Sequence, residues 1–359
     1  MGVLVLAVLL VSGVIALINS IPLSIRTIYS YNREFMGVTP RGDQTATPAI
    51  VEDIRKHAPV EIARVMICRV SSSQIKSIVG RWPFFIIGLN DADLRYYVHR
   101  QQVASMEGRL PIQGAPEAFI TEPVAKNLKL KLGDTLLGPD VDDNYSPKNV
   151  KVVGIGHSDR WLMLTSIEYL REYHFPPIDF AMITAPNLAE QSKLDHWAED
   201  YFKGKKAQVL AYHQIEKNTQ EMFDTLYKIL NVVIGTLALV ITFMMGMLMN
   251  IYQSQRLVEF GLLQAIGYTK KQLLRRVLFE NVGVIVLGWV LGLVVAYWLL
   301  ELAKVVLMDP NAFALDTTDP LAYAYTIPIP FAILIVAIAT VVLRFRKFDP
   351  VSIVERRLV

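Results

Sequence analysis

Residues 229–249 read ILNVVIGTLALVITFMMGMLM, about twenty residues without a charge. A helix of this length can cross the hydrocarbon core of a bilayer, which is about 30 Å thick. Three further apolar runs occupy residues 3–23, 282–300 and 326–343. A cleaved signal peptide is the alternative for the first run, but no charged residue precedes it and no small-residue cleavage site follows it. We therefore expect four membrane-spanning helices.

The short loops between these runs differ in charge. The loop between the second and third runs carries five basic residues: Arg256, Lys270, Lys271, Arg275 and Arg276. The outer loop that precedes the fourth run, residues 308–325, carries Asp309, Asp316 and Asp319 and no basic residue. Because cytoplasmic loops are enriched in lysine and arginine, both termini should lie in the cytoplasm and residues 24–228 outside.

The segment between the first two apolar runs predicts a mixed α/β domain. Alternation and turn signals predict strands at 60–70, 83–88, 118–121 and 150–155, and one more leading to the Gly133-Asp134 turn. Helical patterns cover 48–57 and 189–202. Residues 213–228 also have a helical period, and neither proline nor glycine separates them from the second apolar run. One continuous helix should therefore lead from the domain into the membrane.

These observations give a predicted division of the chain. Its parts are span 1 (1–23), an extracytoplasmic α/β domain (24–212), a stalk helix (213–228), span 2 (229–251), a cytoplasmic coupling loop (252–280), span 3 (281–307), an outer loop (308–325), span 4 (326–343) and a cytoplasmic tail (344–359). Within span 3, Gly288 and Gly292 stand four residues apart, a spacing that favours close helix packing.

Composition and missing motifs exclude several functions. The net charge of +3 is too small to indicate nucleic-acid binding. The one cysteine, Cys68, and six scattered histidines have no metal-ligand spacing. The sequence contains no G-x-x-x-x-G-K-[ST], G-x-S-x-G or H-E-x-x-H pattern, so we expect no bound cofactor or metal and no catalytic activity.

Residues 256–267, RLVEFGLLQAIG, predict a short amphipathic helix in the second loop. Leu257, Phe260, Leu263 and Ile266 fall on one face, and Gly267 stands where a helix would end. From the residues alone, a connector lying on the lipid surface remains an open interpretation.

The pattern R-x-x-E-F-G-x-L-x-A-x-G, followed by a basic helix, resembles the cytoplasmic loop of FtsX-like permeases, the type VII ABC transporter group. MacB-type exporters and the Lol lipoprotein-release permeases belong to this group. The tail Asp349-Pro350 is similar to the family's ending, and residues 108–111, 116–137 and 150–155 are similar to the smaller lobe of MacB-type periplasmic domains.

The resemblance implies a non-catalytic permease subunit of the bacterial inner (plasma) membrane, with a MacB-like domain between spans 1 and 2. It implies a separate cytoplasmic ABC ATPase that binds ATP-Mg, and pairing with a second copy or a related permease. A periplasmic adaptor and membrane lipid are further expected partners. The residues it assigns to ATPase coupling are Arg256, Glu259, Phe260, Gly261, Leu263, Ala265 and Gly267.

The resemblance implies that ATP hydrolysis moves the external domain and so exports or extracts a substrate by mechanotransmission. Two alternatives stay open. One is a membrane-bound sensor or scaffold with a ligand-binding external domain. The other is an anchored enzyme, which would need a catalytic cluster in the folded domain.

Overall fold

The computed structural model describes residues 1–78, 80–174 and 178–346. Most of the predicted tail, including the Asp349-Pro350 motif, lies outside these residues. The chain forms two compact units. A membrane unit comprises Met1–Ser20, Phe223–Val305 and the chain from Leu315 onward, and an α/β unit comprises Ile21–Met222 and Val306–Ala314.

The helices are α1 (Gly2–Ile28), α2 (Thr47–His57), α3 (Asp91–Arg100), α4 (Glu122–Leu128), α5 (Ile167–Tyr173), α6 (Leu188–Phe202), α7 (Tyr212–Gln255), α8 (Leu257–Ala265), α9 (Lys270–Ala303), α10 (Pro320–Ala324) and α11 (Pro328–Arg346). The strands are β1 (Met36–Pro40), β2 (Arg64–Ser77), β3 (Gly80–Leu89), β4 (Ser105–Gly108), β5 (Glu117–Thr121), β6 (Thr135–Leu137), β7 (Val150–His157), β8 (Met163–Ser166), β9 (Asp179–Thr184) and β10 (Ala207–Leu210). Short 3₁₀ turns follow α1 at Tyr29–Glu34 and precede α10 at Asp309–Asn311, and a π-helical turn, Lys304–Met308, follows α9.

Four helical segments are long and apolar enough to cross a bilayer: Gly2–Glu34, Tyr212–Gln255, Lys270–Asn311 and Pro320–Leu343. Each contains one of the four apolar runs of the sequence. The chain is therefore a membrane protein with four candidate spans.

Helix α7 is one uninterrupted helix of 44 residues, which confirms the predicted continuity of stalk and span. In the membrane unit it buries one stripe of side chains, including Phe223, Ile234 and Met245. On its other faces Val232 and Leu239 are each 70% exposed. Apolar residues on an exposed face are what a lipid-facing helix requires.

Helices α1 and α9 pack closely in the membrane unit at two glycines of α9. A methyl group on Gly288 would lie 3.1 Å from Leu4, and one on Gly292 would lie 2.8 Å from the Cβ of Val8. Both glycines are buried. Small residues at such positions allow two helix backbones to approach.

The α/β unit contains, among the described residues, a ten-stranded sheet in the order β10-β1-β9-β2-β3-β8-β5-β7-β4, with β6 paired to β7 beside this path. Most pairs are antiparallel, and β3–β8 and β5–β7 are parallel. One apolar cluster, with Phe84, Phe119 and Trp161, packs around β2, β3, β5, β7 and β8. A second, with Ile54 and Leu194, packs α2 and α6 on β1, β9 and β10.

Cys68 lies on β2 inside the first cluster and is 1% exposed. Burial raises the pKa of its thiol, because the thiolate would lose hydration in this apolar surrounding. The thiol therefore acts as a small apolar side chain of the core.

The predicted strand leading to the Gly133-Asp134 turn is wrong. Helix α4 ends at Lys129, which has a left-handed φ of 59°, and the N–H of Leu130 donates to Ala125 within the same cap. The N–H of Lys131 already donates to the Asp134 carboxylate in the next turn. Too few residues remain between the cap and the turn for a strand, and β6 follows the turn instead.

We predict that Gly154→Ala destabilises the α/β unit. The added methyl group would collide with the backbone carbonyl of Arg109 and lie 2.9 Å from Phe119, so β4 and β7 must separate or the core must shift. Overpacking of this kind costs about 1–3 kcal/mol. Limited proteolysis and thermal unfolding of the full chain measure the loss. Lys151→Ala, at an exposed position of the same strand, is the control, and equal stability of the two variants would contradict the prediction.

We also predict that Gly292→Ala weakens the packing of α1 on α9 by about 1–3 kcal/mol. The matched control is Gly283→Ala in the same helix, where a methyl group meets no atom within 4 Å. Alanine favours a helix over glycine by about 1 kcal/mol. Thermal unfolding in detergent should therefore show a loss for Gly292→Ala and none for Gly283→Ala. A gain in both variants would argue against close packing.

Candidate functional site

Helix α8 lies between α7 and α9 in the membrane unit, and tight turns define both of its ends. At its C-terminus the N–H of Gly267 donates to Gln264 and the N–H of Tyr268 donates to Leu263. Gly267 has a φ of +108°, which a residue with a side chain rarely adopts. This pair of hydrogen bonds around a left-handed glycine is a Schellman cap. The predicted helix end at Gly267 is confirmed.

The next helix begins at once. The Thr269 side chain accepts from the N–H of Gln272, while the Gln272 side chain accepts from the N–H of Thr269, so α9 starts with a capping box. The link between α8 and α9 is therefore four residues long, and both of its flanks are capped. Such a link fixes the direction of α8 relative to α9.

Arg256 connects α8 to the two neighbouring helices. Its Nε and Nη2 donate to the two carboxylate oxygens of Glu259, at 2.7 and 2.9 Å. Its Nη1 donates to both oxygens of Glu280 on α9, at 2.8 Å each. The hydroxyl of Tyr252, near the end of α7, accepts from Arg256 and donates to Glu280. One guanidinium thus connects three helices.

These contacts shift the titration of both partners on α8. The hydrogen bonds that Arg256 donates to Glu259 and Glu280 raise the pKa of Arg256 above its ordinary value, and the bonds that Glu259 accepts lower the pKa of its carboxyl group. A carboxylate with a lowered pKa stabilises the folded state at pH above its unfolded value of about 4.5. That contribution is lost as the pH falls through the lowered pKa of Glu259. The contacts of Arg256 with Glu259 and Glu280, the Arg256 clasp, therefore persist at neutral pH.

The inner face of α8 is anchored by Phe260. Its ring is 3% exposed and packs with Leu273 and Val277 of α9 and Val341 of α11. Leu263 packs partly against the same cluster. Phe260, one of the residues that the resemblance assigns to coupling, is thus buried inside the membrane unit.

The outer face of α8 is apolar and exposed. Leu262 is 61% exposed, Ile266 77% and Val258 40%, and Ala265 is exposed beside them. Ile266 was expected on the same face as Phe260, but its side chain is exposed while the Phe260 ring is buried. Ile266 keeps helical φ and ψ angles, and at 3.6 residues per turn six residues rotate it by about 240° from Phe260. Glu259 lies at the edge of this surface, with 46% of its side chain exposed.

Gly261 stands in the middle of α8, where glycine costs about 1 kcal/mol of helix stability relative to alanine. A methyl group at this position would meet no atom within 4 Å. Nothing in the described part of this chain therefore requires a glycine there.

Sequence reasoning missed two kinds of residue at this site. Glu280 pairs with Arg256 across 24 positions, and no local pattern links them. Gln253 and Asn281 are buried, at 1% and 4% exposure, and their amide atoms Nε2, Oε1 and Nδ2 have no hydrogen-bond partner among the described residues. Both amides lie just outside an apolar run, at positions where a polar side chain is ordinary, so no signal in the sequence indicated their burial. The described residues contain no group of three or more side chains suited to a metal ion.

We predict that Arg256→Lys loosens α8 while the membrane unit stays folded. A lysine ammonium cannot form a two-pronged contact with Glu259 and reach Glu280 at the same time. A loss of about 1 kcal/mol is expected, which corresponds to roughly fivefold faster hydrogen exchange of residues 257–266. Arg275→Lys is the control, since that guanidinium lies over the ring of Phe279 at 5.4 Å. Identical exchange in both variants would refute the clasp.

Comparison with known proteins gives similar solved structures and a family model that matches part of the chain. The chain is similar to the periplasmic region of MacB from Actinobacillus actinomycetemcomitans, with 12% identity and a TM-score of 0.31 over 55% of this chain and 95% of that one. It is also similar to the extracellular domain of the ABC-type transporter YknZ from Gram-positive bacteria, with 15% identity and a TM-score of 0.27 over 49% of this chain and 99% of that one. No curated protein matches it in sequence.

Residues 231–350 match the family model described as FtsX-like permease C-terminal. The match begins in α7, includes α8 and α9, and continues through α11. It therefore contains the Arg256 clasp and all the residues that the resemblance assigns to coupling. This segment of the chain, about a third of its length, is therefore similar to the C-terminal part of FtsX-like permeases.

Proposed function

We propose that this chain is the membrane subunit of an ABC transporter and that a separate cytoplasmic ATPase docks on α8. The observation that carries the proposal is an exposed apolar surface on a helix held in one orientation. Leu262 and Ile266 face outward while Phe260 and Arg256 fix the helix from behind. A docking element that transmits force needs both properties: an exposed apolar surface that a partner can bind, and contacts that fix the helix in one orientation.

The charge pattern supports a cytoplasmic position for this surface. Lys270, Lys271, Arg275 and Arg276 lie on the first turns of α9, directly after the capped link. Loops rich in lysine and arginine are retained in the cytoplasm. On this proposal the ATPase binds ATP-Mg, and this chain contributes no catalytic group.

Transmission would follow the helices that meet at α8. Displacement of α8 acts on α7 through Tyr252 and Arg256 and on α9 through Glu280. Helix α7 continues without interruption to Tyr212, so it can carry that displacement to the external domain. A membrane unit of four spans is small, and we propose that it pairs with a second copy or a related permease. Export or extraction of a substrate by mechanotransmission is the proposed outcome.

We predict that Leu262→Asp combined with Ile266→Asp disrupts docking of the ATPase. Burying an exposed leucine or isoleucine in an interface contributes about 1.5–3 kcal/mol, so binding of a co-expressed ABC ATPase should weaken by about tenfold or more. ATP hydrolysis by the complex in detergent should lose its response to the permease. Glu259 is less informative as a target, because its carboxylate also holds Arg256.

Leu188→Asp is the control variant. Leu188 is 51% exposed on α6 of the α/β unit. The substitution therefore also replaces an exposed leucine by aspartate, but in the other unit of the chain. Docking is expected to survive in this variant. If the ATPase binds the double α8 variant as tightly as the wild type, α8 is not the docking element, and the alternative of a helix lying on the lipid surface is favoured.

A further inference from the structure

The α/β unit contains a cavity of about 720 Å³. Its walls are formed by strands β1, β2, β3, β9 and β10, by the end of α1 with the turn after it, and by the first turns of α7. All of its lining residues belong to the α/β unit. Ligand-binding cavities in proteins measure about 300–1,000 Å³, so this one can hold a small molecule or part of a larger one.

The lining is almost entirely apolar. Its principal side chains are Trp82, Phe85, Ile87, Phe180, Met182 and Met222. Among the lining residues that the structure describes, Arg81 is the one with a charged side chain, and it already pairs with Asp143. A polar ligand such as a sugar or a peptide would lose its hydration here and gain few hydrogen bonds in return.

Three of the lining residues are large apolar side chains that remain open to solvent. Phe85 on β3 is 40% exposed, Leu210 on β10 is 44% exposed and Met222 on α7 is 56% exposed. They come from three separate elements and converge on one cavity. Exposed apolar surface that converges in this way marks a place where another apolar group binds.

The helices that wall the cavity identify the class of ligand. Ile25 belongs to α1, and Ile215, Thr219 and Met222 repeat along one face of α7. Both helices also carry an apolar run long enough to span a membrane. The apolar molecules most concentrated beside membrane helices are bilayer amphiphiles, whose hydrocarbon chains match an apolar site.

We propose that this cavity binds the hydrocarbon chain of an amphiphile. Asn32 and Asn218 are polar lining residues that can form hydrogen bonds with the headgroup. This site is in the external domain and is independent of α8. The proposal does not rest on ATPase docking, because binding can be measured without any ATPase or ATP.

The test uses the full chain in bilayer discs of phosphatidylcholine. Two photoreactive probes are compared: palmitic acid with a diazirine on its chain, and phosphatidylcholine that carries the same acyl chain. After illumination, mass spectrometry locates the label. We expect labelled peptides that contain Trp82–Phe85 and Ile215–Met222. Labelling by the free acid alone identifies a free amphiphile as the ligand, and labelling by the phospholipid identifies a bilayer lipid.

Met222→Glu places a carboxylate in the cavity and should reduce labelling of these peptides by about tenfold, since an unpaired charge is poorly tolerated in an apolar site. Phe85→Glu, at another partly exposed lining position, is the second variant and should act in the same way. Met106→Glu on β4 is the control, because Met106 is 39% exposed and does not line the cavity. Each variant is first compared with the wild type by limited proteolysis, and labelling is measured in the variants whose cleavage pattern shows that they are folded.

Two results would overturn the proposal. One is label from both probes confined to peptides outside the cavity. The other is equal labelling of the cavity peptides in the Met106→Glu protein and in a folded Met222→Glu or Phe85→Glu protein. Failure of ATPase docking would leave both measurements unchanged, so the two proposals can fail separately.

Discussion

Inside a bilayer, a backbone N–H or C=O group has no water to bind, so every crossing segment must satisfy its own polar groups. The four candidate spans do this as helices, and even their hydroxyl side chains follow the rule. Ser12, Thr236, Thr242 and Thr340 each donate to the carbonyl oxygen four residues earlier in the same helix. The chain can reverse direction only where water or a cap replaces these bonds, and the Schellman cap at Gly267 is such a place.

The helices of the membrane unit are held together by close packing within the apolar runs and by ion pairs beyond them. Along α1 and α9, contact depends on small residues such as Gly292, against which Val8 packs directly. At the end of α7 the helices are joined by ion pairs instead, because the Arg256 guanidinium donates hydrogen bonds to two carboxylates on different helices. The ring of Phe260 completes this junction from the apolar side. Helix α8 is therefore supported by packing and by ion pairs, whose strengths respond differently to salt and temperature.

Features encoded by neighbouring residues could be predicted from the sequence. The apolar runs, the unbroken α7 and the helix end at Gly267 all follow from local period or local φ preference. Features that depend on distant partners could not. No spacing rule pairs Arg256 with Glu280, and none pairs β3 with β8, where Ile87 lies beside Leu164. The mistaken strand before Gly133 shows a local limit as well, since alternating leucines and lysines also fit a helix cap followed by a turn.

The burial of Cys68 has a practical consequence for spectroscopy. It is the one cysteine of the sequence, it is 1% exposed, and burial raises the pKa of its thiol. Aqueous thiol reagents attack the thiolate, so this position should react slowly. A cysteine introduced at an exposed site can then carry a fluorophore or spin label without removal of the native one. Labels on α8 and on the α/β unit would report distances between them in a protein with its natural core.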